Sequence, residues 1–318
     1  MKEIVVFGNA VLDILARPVD FLQLQNGTLP VKEIEMSFGG NALNEAVLLS
    51  RLVRKVKLIS LVGEDEAGRR ILDCLAENGI DDSSILKRKN LTTSINIVLI
   101  DEQGERYFLT NPNGSQRKQQ ISDLLPFLPD KPCLFSFANL FVSPEIRIPE
   151  LSDLFRHLKS DLGYVIALDL TKPKNGETIQ DLKEMLAYID YFFPNEAEIA
   201  MLTGIQDALE NARLLVSMGV KCAVVKCGKA GCVTACRQGI YRIPAYPVDC
   251  IDSTGAGDNF AAAFLWAVSE GWDVYESACF ANSAASVAVE KTGASGGVES
   301  LEQVMPRYEE LLQKGKRL

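Results

Sequence analysis

Histidine is almost missing from this chain: His157 is the only one in 318 residues. It lies in an amphipathic stretch with Leu151, Leu154, Phe155 and Leu158, which reads as a surface or half-buried helix position. A Ser-His-Asp triad or a histidine-rich metal site would have to rest on that one side chain. The phosphate-binding pattern GxxxxGK followed by Ser or Thr is absent as well. Its nearest approach, Gly228-Lys229, has Ala223 and Ala230 where a glycine and a hydroxyl are needed. No dinucleotide fingerprint GxGxxG follows the first strand, where the chain reads Gly8-Asn9-Ala10-Val11-Leu12-Asp13.

Long apolar runs are also lacking. No segment reaches 18 unbroken apolar residues, and the opening stretch Met1–Gly8 is too short for a signal peptide, so a cytoplasmic protein is expected. Positive charge is scarce: 33 Lys and Arg against 42 Asp and Glu leave a net charge of −9, which argues against nucleic acid or an anionic membrane as partner. An acidic protein can still hold phosphate through backbone amides and a metal. The eight cysteines show no paired CxxC spacing at Cys222, Cys227, Cys232 and Cys236, so small buried thiols in a reducing compartment are expected rather than a zinc site.

What is present is an ordinary globular composition, 47% apolar and 24% charged. Strand-like runs at 4–7, 56–62, 133–137, 164–168, 191–193, 222–226 and 231–236 alternate with helical patterns at 42–52, 68–78, 148–160, 181–189, 196–202 and 208–218. That alternation predicts an α/β fold with a mainly parallel central sheet, helices on both faces and chemistry at the carboxyl ends of the strands. The chain reads as a single domain, 1–318. Residues 13–38 and 92–111 break the rhythm with period-two patterns, the second as a hairpin turning at 101–104. Together they predict a small β lid over the site or a contact with a second copy.

The most informative segment is Asp252-Ser253-Thr254-Gly255-Ala256-Gly257-Asp258-Asn259-Phe260, a glycine turn opening into an apolar helix. The amides of Gly255, Ala256 and Gly257 would sit at a helix N-terminus, which favours an anion. Asp258 repels phosphate, so it suits a base that deprotonates whatever attacks the phosphate; the alternative is that it caps the helix and the glycines only make a turn. Gly39-Gly40-Asn41-Ala42-Leu43-Asn44 opens a second helix, running to Arg54, with Asn44 one turn in. Asp13 follows the first strand and can accept hydrogen bonds from neighbouring hydroxyls. Such a polar trio suits a sugar.

These motifs, in this order, resemble the PfkB family of carbohydrate kinases, with its ribokinase-like fold. Asn195-Glu196-Ala197-Glu198 resembles the family's Asn-x-x-Glu motif, Lys226–Gly231 its nucleotide-binding turn, and Asn282 the position beside the adenine. The resemblance implies ATP as donor and Mg²⁺ as cofactor. Asp258 would be the base, and Gly255, Ala256 and Gly257 the anion hole. Asp13, Gly39, Gly40 and Asn44 would bind sugar hydroxyls. Asn195, Lys226, Gly228, Gly231 and Asn282 would hold the nucleotide, with Glu198 meeting magnesium through water. Many members bind K⁺ beside the anion hole; here Asp252, Thr254 and the 291–297 loop would surround it.

The sequence also departs from the family's common patterns. Asp169-Leu170-Thr171-Lys172-Pro173 stands where fructokinase-like and ketodeoxygluconate-kinase-like members carry Asp-x-Asn-x-Arg, and Asn41 and Leu43 replace a usual Lys and Gly. These departures argue for a free sugar or polyol as acceptor. Arg106 reads as a solvated hairpin charge or a cation over the substrate, and 111–114 as a turn or a set of amides over it. A nucleoside kinase of the same fold and a silent sugar- or nucleotide-binding sensor are the alternatives.

Overall fold

The computed structural model describes residues 3–23, 27–52, 55–103, 105–294 and 296–318. In chain order its strands are β1 (Ile4–Phe7), β2 (Val11–Arg17), β3 (Glu33–Gly39), β4 (Val56–Gly63), β5 (Ile85–Arg88), β6 (Ile95–Ile100) and β7 (Arg106–Thr110). The second half adds β8 (Leu134–Leu140), β9 (Val165–Leu170), β10 (Tyr191–Phe192), β11 (Cys222–Lys226), β12 (Cys232–Cys236), β13 (Gly239–Ile243) and β14 (Lys316–Arg317).

Ten strands form the main sheet in the order β14-β13-β12-β11-β10-β9-β8-β1-β4-β5. Pairing is parallel from β5 to β11 and antiparallel beyond it. The central strand shows why such a sheet needs cover on both faces. In β1, Ile4 and Val6 join one buried cluster, with helices Asn41–Arg51 and Ala256–Ser269. Val5 and Phe7 join the other, with helix Ile148–Ser160. This bears out the fold class expected from the alternation of strands and helices.

The segments that broke the rhythm form a separate four-stranded sheet, β3-β2-β6-β7. Asp13 lies opposite Asn96 and Ser37, and Asn96 opposite Thr110, so these side chains share one face; Ile14, Met36, Ile97 and Leu109 occupy the other. The pairing of β2 with β6 is parallel, because β4 and β5 of the main sheet intervene between them in the chain. The helix expected to reach Arg54 is described to Arg51, and Val53 and Arg54 lie outside the described residues.

Candidate active site

A cavity of about 390 Å³ lies where the small sheet meets the carboxyl ends of β1, β8 and β9. The sequence-predicted residues Asp13, Gly39, Gly40, Asn44, Thr254, Gly255 and Asp258 all line it. Helix Ala256–Ser269 begins there, with Gly255 as its N-cap at φ 71° and no side chain capping it. A Cβ at Gly255 would stand 2.6 Å from the Ala294 carbonyl oxygen, so both the left-handed backbone and the close approach require glycine. Ala256 N donates to Ser253 O at 3.3 Å, and the amides that follow it in the first turn have no carbonyl of their own helix to meet.

At the same helix start, Asp258 is buried and its Oδ2 accepts from Asn44 Nδ2 at 2.6 Å. Burial holds its carboxyl above the usual range, with Asn44 and Lys226 pulling the other way. Across the cavity Asp13 accepts from Asn96 Nδ2 at 2.8 Å, and burial raises it to about 6 against the opposing pull of Asn96 and Arg106. Gly39 is needed there for space: a Cβ would come within 2.1 Å of Asp13 Oδ2. Three amide oxygens of cavity-lining residues, Asn9 Oδ1, Asn44 Oδ1 and Asn96 Oδ1, are buried without a partner, as is Thr254 Oγ1. They are acceptors suited to hydroxyl groups.

Behind Asp258 lies a cluster of buried charge. Lys226 Nζ sits 2.5 Å from Asp169 Oδ2, and would be 3.2 Å from a Cβ at Gly257. Burial pushes the Lys226 ammonium down, but Asp169, Glu198 and Asp258 together raise it. One ammonium thus attracts four carboxyls, those of Asp169, Glu198, Asp258 and Glu45. Burial raises Asp169 to about 7 and also lifts Glu198 and Glu45, the latter bonded to Ser136 Oγ at 2.7 Å.

The nucleotide-side residues are less open than the sequence suggested. Asn195 caps helix Glu196–Thr203 by accepting from Glu198 N at 2.8 Å, while Glu198 Oε2 accepts from Asn195 N at 2.9 Å. Gly228 and Gly231 form the β11–β12 turn, and Asn282 reaches that turn's far end, with Nδ2 3.2 Å from Cys232 Sγ. Lys226, expected to hold nucleotide, is ion-paired with Asp169 beside the glycine turn.

One expectation needs correction. Arg106 is not a solvated hairpin charge; its guanidinium is ion-paired with the buried Asp252 carboxylate. That carboxylate also accepts from Thr254 N at 2.7 Å and Gly293 N at 2.8 Å. Arg106 and the Thr254 amide meet Asp252 Oδ1 and the Gly293 amide meets Oδ2, while Thr254 Oγ1 beside them is buried without a partner. All eight cysteines are free, and among the described residues no group of three His, Cys, Asp or Glu side chains could hold a metal. The sequence reading missed Asn96, Gln116, Arg117 and Lys174 as cavity residues. Asn96 was legible, since period two puts it on the same face as Asp13's neighbours; Arg117 and Lys174 lie in irregular segments whose direction no periodicity sets.

A polar cavity at the strand ends, a buried carboxyl within it and an open helix N-terminus beside that carboxyl define a phosphotransferase-like architecture. The family model described as pfkB family carbohydrate kinase matches residues 1–301. The chain is 27% identical to a ribokinase of Staphylococcus aureus over 312 residues, covering 95% of this chain and 98% of that one. Its fold matches that of Arabidopsis thaliana ribokinase complexed with ribose and ATP, with a TM-score of 0.76, 23% identity and coverage of 97% and 99%. It likewise matches Salmonella enterica aminoimidazole riboside kinase complexed with aminoimidazole riboside and an ATP analogue, with a TM-score of 0.79, 22% identity and coverage of 96% and 99%. The chain belongs to the pfkB family of carbohydrate kinases, ATP-dependent phosphotransferases with an alcohol group as acceptor.

Proposed function

We propose that the protein transfers the γ-phosphoryl group of ATP to a hydroxymethyl group of a sugar or polyol. The observation that carries this reading is the shared cavity: unpartnered amide oxygens and Asp13 for hydroxyl groups, with Asp258 and an open helix N-terminus at one end. The acceptor oxygen forms a bond to the γ-phosphorus as the bond from that phosphorus to the β,γ-bridging oxygen breaks. The electron pair leaves with ADP, and the hydroxyl proton passes to Asp258. The amides that open helix Ala256–Ser269, from Ala256 and Gly257 onward, stabilise the charge on the transferring group.

Asp13 and Asn44 orient the acceptor, with Gly39 and Gly40 allowing its close approach. The 226–231 turn, with Asn195 and Asn282, forms the nucleotide side. Magnesium suits the charge excess around Lys226, and Glu198 Oε1, which its capping bond leaves uncommitted, is the oxygen we assign to it through water. When bound, magnesium neutralises charge on the phosphates. Free thiols at all eight cysteines suit a reducing compartment such as the cytoplasm.

Phe108 on the cavity wall supports a second reading, a nucleoside kinase in which that ring packs against a base. The outer face of the small sheet exposes Ile34, Met36, Ile97 and Leu109, which supports a homodimer through that face and is checked by sedimentation of Met36→Glu against wild type. A coupled ADP-release screen over pentoses, hexoses, polyols and nucleosides tests the activity. ADP formed only with one acceptor class upholds the kinase and identifies that class; no ADP with any acceptor, despite ligand binding, would favour a sensor.

A further inference from the structure

The cavity holds two cationic side chains that the mechanism above does not use, Arg117 and Lys174. Arg117 closes the short turn Ser115–Arg117 after the β6–β7 hairpin, and Lys174 follows β9. Among the described residues neither is ion-paired, and Arg117 Nε is buried with no partner. The nearby acids make their hydrogen bonds to other groups. Asp13 accepts from Asn96, and Asp258 from Asn44. Glu177, next to Lys174 in the chain, accepts from the Lys174 and Asn175 amides at 2.9 and 2.8 Å and from Asn175 Nδ2 at 2.9 Å.

The two cations also oppose each other. Burial, and then the charge of Arg117, lower the proton affinity of Lys174 against a smaller opposing pull from Glu177. Long basic side chains at a protein surface ordinarily turn outward and gain solvation. Two that share a partly enclosed cavity, one with a buried unpartnered donor, form a site complementary to an anion. The donor's phosphates are assigned to the helix N-terminus at Gly255, whereas Arg117 and Lys174 come from the segments after β7 and β9. Arg117 belongs to the acceptor side: its neighbour Gln116 accepts from Asn9 Nδ2 at 3.3 Å and donates its backbone amide to Ser94 Oγ at 2.9 Å.

We propose that the acceptor carries an anionic group, a carboxylate or a phosphate monoester, bound by Arg117 and Lys174 while Asp13 and the asparagine oxygens take its hydroxyls. This rests on the kinase reading and narrows its free sugar or polyol to a sugar acid or a sugar phosphate.

The test uses matched acceptors differing in the anion alone: aldonates against the corresponding alditols, and terminal sugar phosphates against the free sugars. ADP release and calorimetric binding are both read. The expected result is a preference of at least about tenfold in kcat/KM for one anionic set; which set responds separates carboxylate from phosphate. Arg117→Gln and Lys174→Gln should each raise KM for that acceptor about tenfold or more and leave KM for ATP unchanged, with Arg117→Lys restoring part of the loss. Anionic ligands that bind wild type but not Arg117→Gln, without turnover, would uphold the anion site and defeat the kinase reading. Equal or better turnover of the neutral acceptors, or a rise in KM for ATP alone in Arg117→Gln, would overturn the proposal and leave the kinase standing.

Discussion

The guanidinium of Arg106, at the start of an outer strand of the small sheet, is ion-paired with the buried carboxylate of Asp252, 146 residues away in the chain. Asp252 in turn fixes the amides of Thr254 and Gly293, one on each side of the turn that opens helix Ala256–Ser269. The small sheet is thereby tied by charge to the segment we assign to phosphoryl transfer. The main and small sheets have separate cores, so this pair is a specific joint between them rather than a by-product of packing.

Arg106→Ala should leave Asp252 buried without its counter-charge, at a cost of about 3 kcal/mol in unfolding free energy. Turnover should fall further than stability alone explains, because the glycine turn loses its anchor. Added guanidinium should restore activity in Arg106→Ala and not in Asp252→Ala. Arg106→Ala should turn over faster in potassium than in tetramethylammonium salts, because a small cation can enter beside Asp252. Steady-state rates across these salts check each point.

Asp258→Asn separates a base from a cap. As a base, its loss should cost on the order of 10²–10⁴ in kcat. The melting temperature should hold or rise, since the change removes a buried carboxyl that burial already disfavours as an anion. Near-normal turnover with a loss of about 1 kcal/mol would mark a cap instead. Paired rate and melting measurements decide.

How far the sequence disclosed this site follows from how its residues are positioned. Asp13, Asn44 and Asp258 sit in motifs whose local geometry is set within a few residues, by a strand end or a helix start, so each was identifiable by spacing. The Ile148–Ser160 helix was legible to the residue for the same reason. Long-range partners were not. Asp169 is a strand-end carboxylate whose partner, Lys226, lies 57 residues away, and nothing local marks the pair. Arg106 looked solvated because a hairpin strand is ordinarily half exposed, and only the docking of the small sheet on the 252–257 turn buries it. Arg117 and Lys174 lie in loops, where direction is decided by tertiary packing.

The raised Asp13 carboxyl, at about 6, gives activity a pH dependence with a definite sign. It must be ionised to accept hydroxyl protons, so kcat/KM should fall as pH drops through about 6, with kcat at saturating acceptor less affected. Stability should run the other way. The folded state holds the proton that an unfolded Asp releases near 3.9, so stability from this group falls as pH rises from about 4 to 6. Asp13→Asn keeps the acceptor oxygen facing Asn96 and should be more stable than wild type by about 2 kcal/mol at pH 8, with no gain at pH 4, while losing acceptor affinity. Melting curves at the two pH values, alongside KM, test both halves.

Lys226 compensates several buried acids at once, and its removal should expose their mutual repulsion. In Lys226→Met, Asp169, Glu198 and Asp258 would lose their common counter-charge, and the folded-state titration of Asp169, already at about 7, would move higher. A carboxyl raised in the folded state binds its proton more tightly there than when unfolded, so stability declines as pH rises toward the folded value. The variant should therefore match wild type most closely near pH 5 and fall progressively behind it up to pH 9. Asp169→Asn in the same background should recover part of the loss, since it removes one of the repelling charges. A constant deficit across that pH range would mean that Lys226 acts through packing of its alkyl chain rather than through charge.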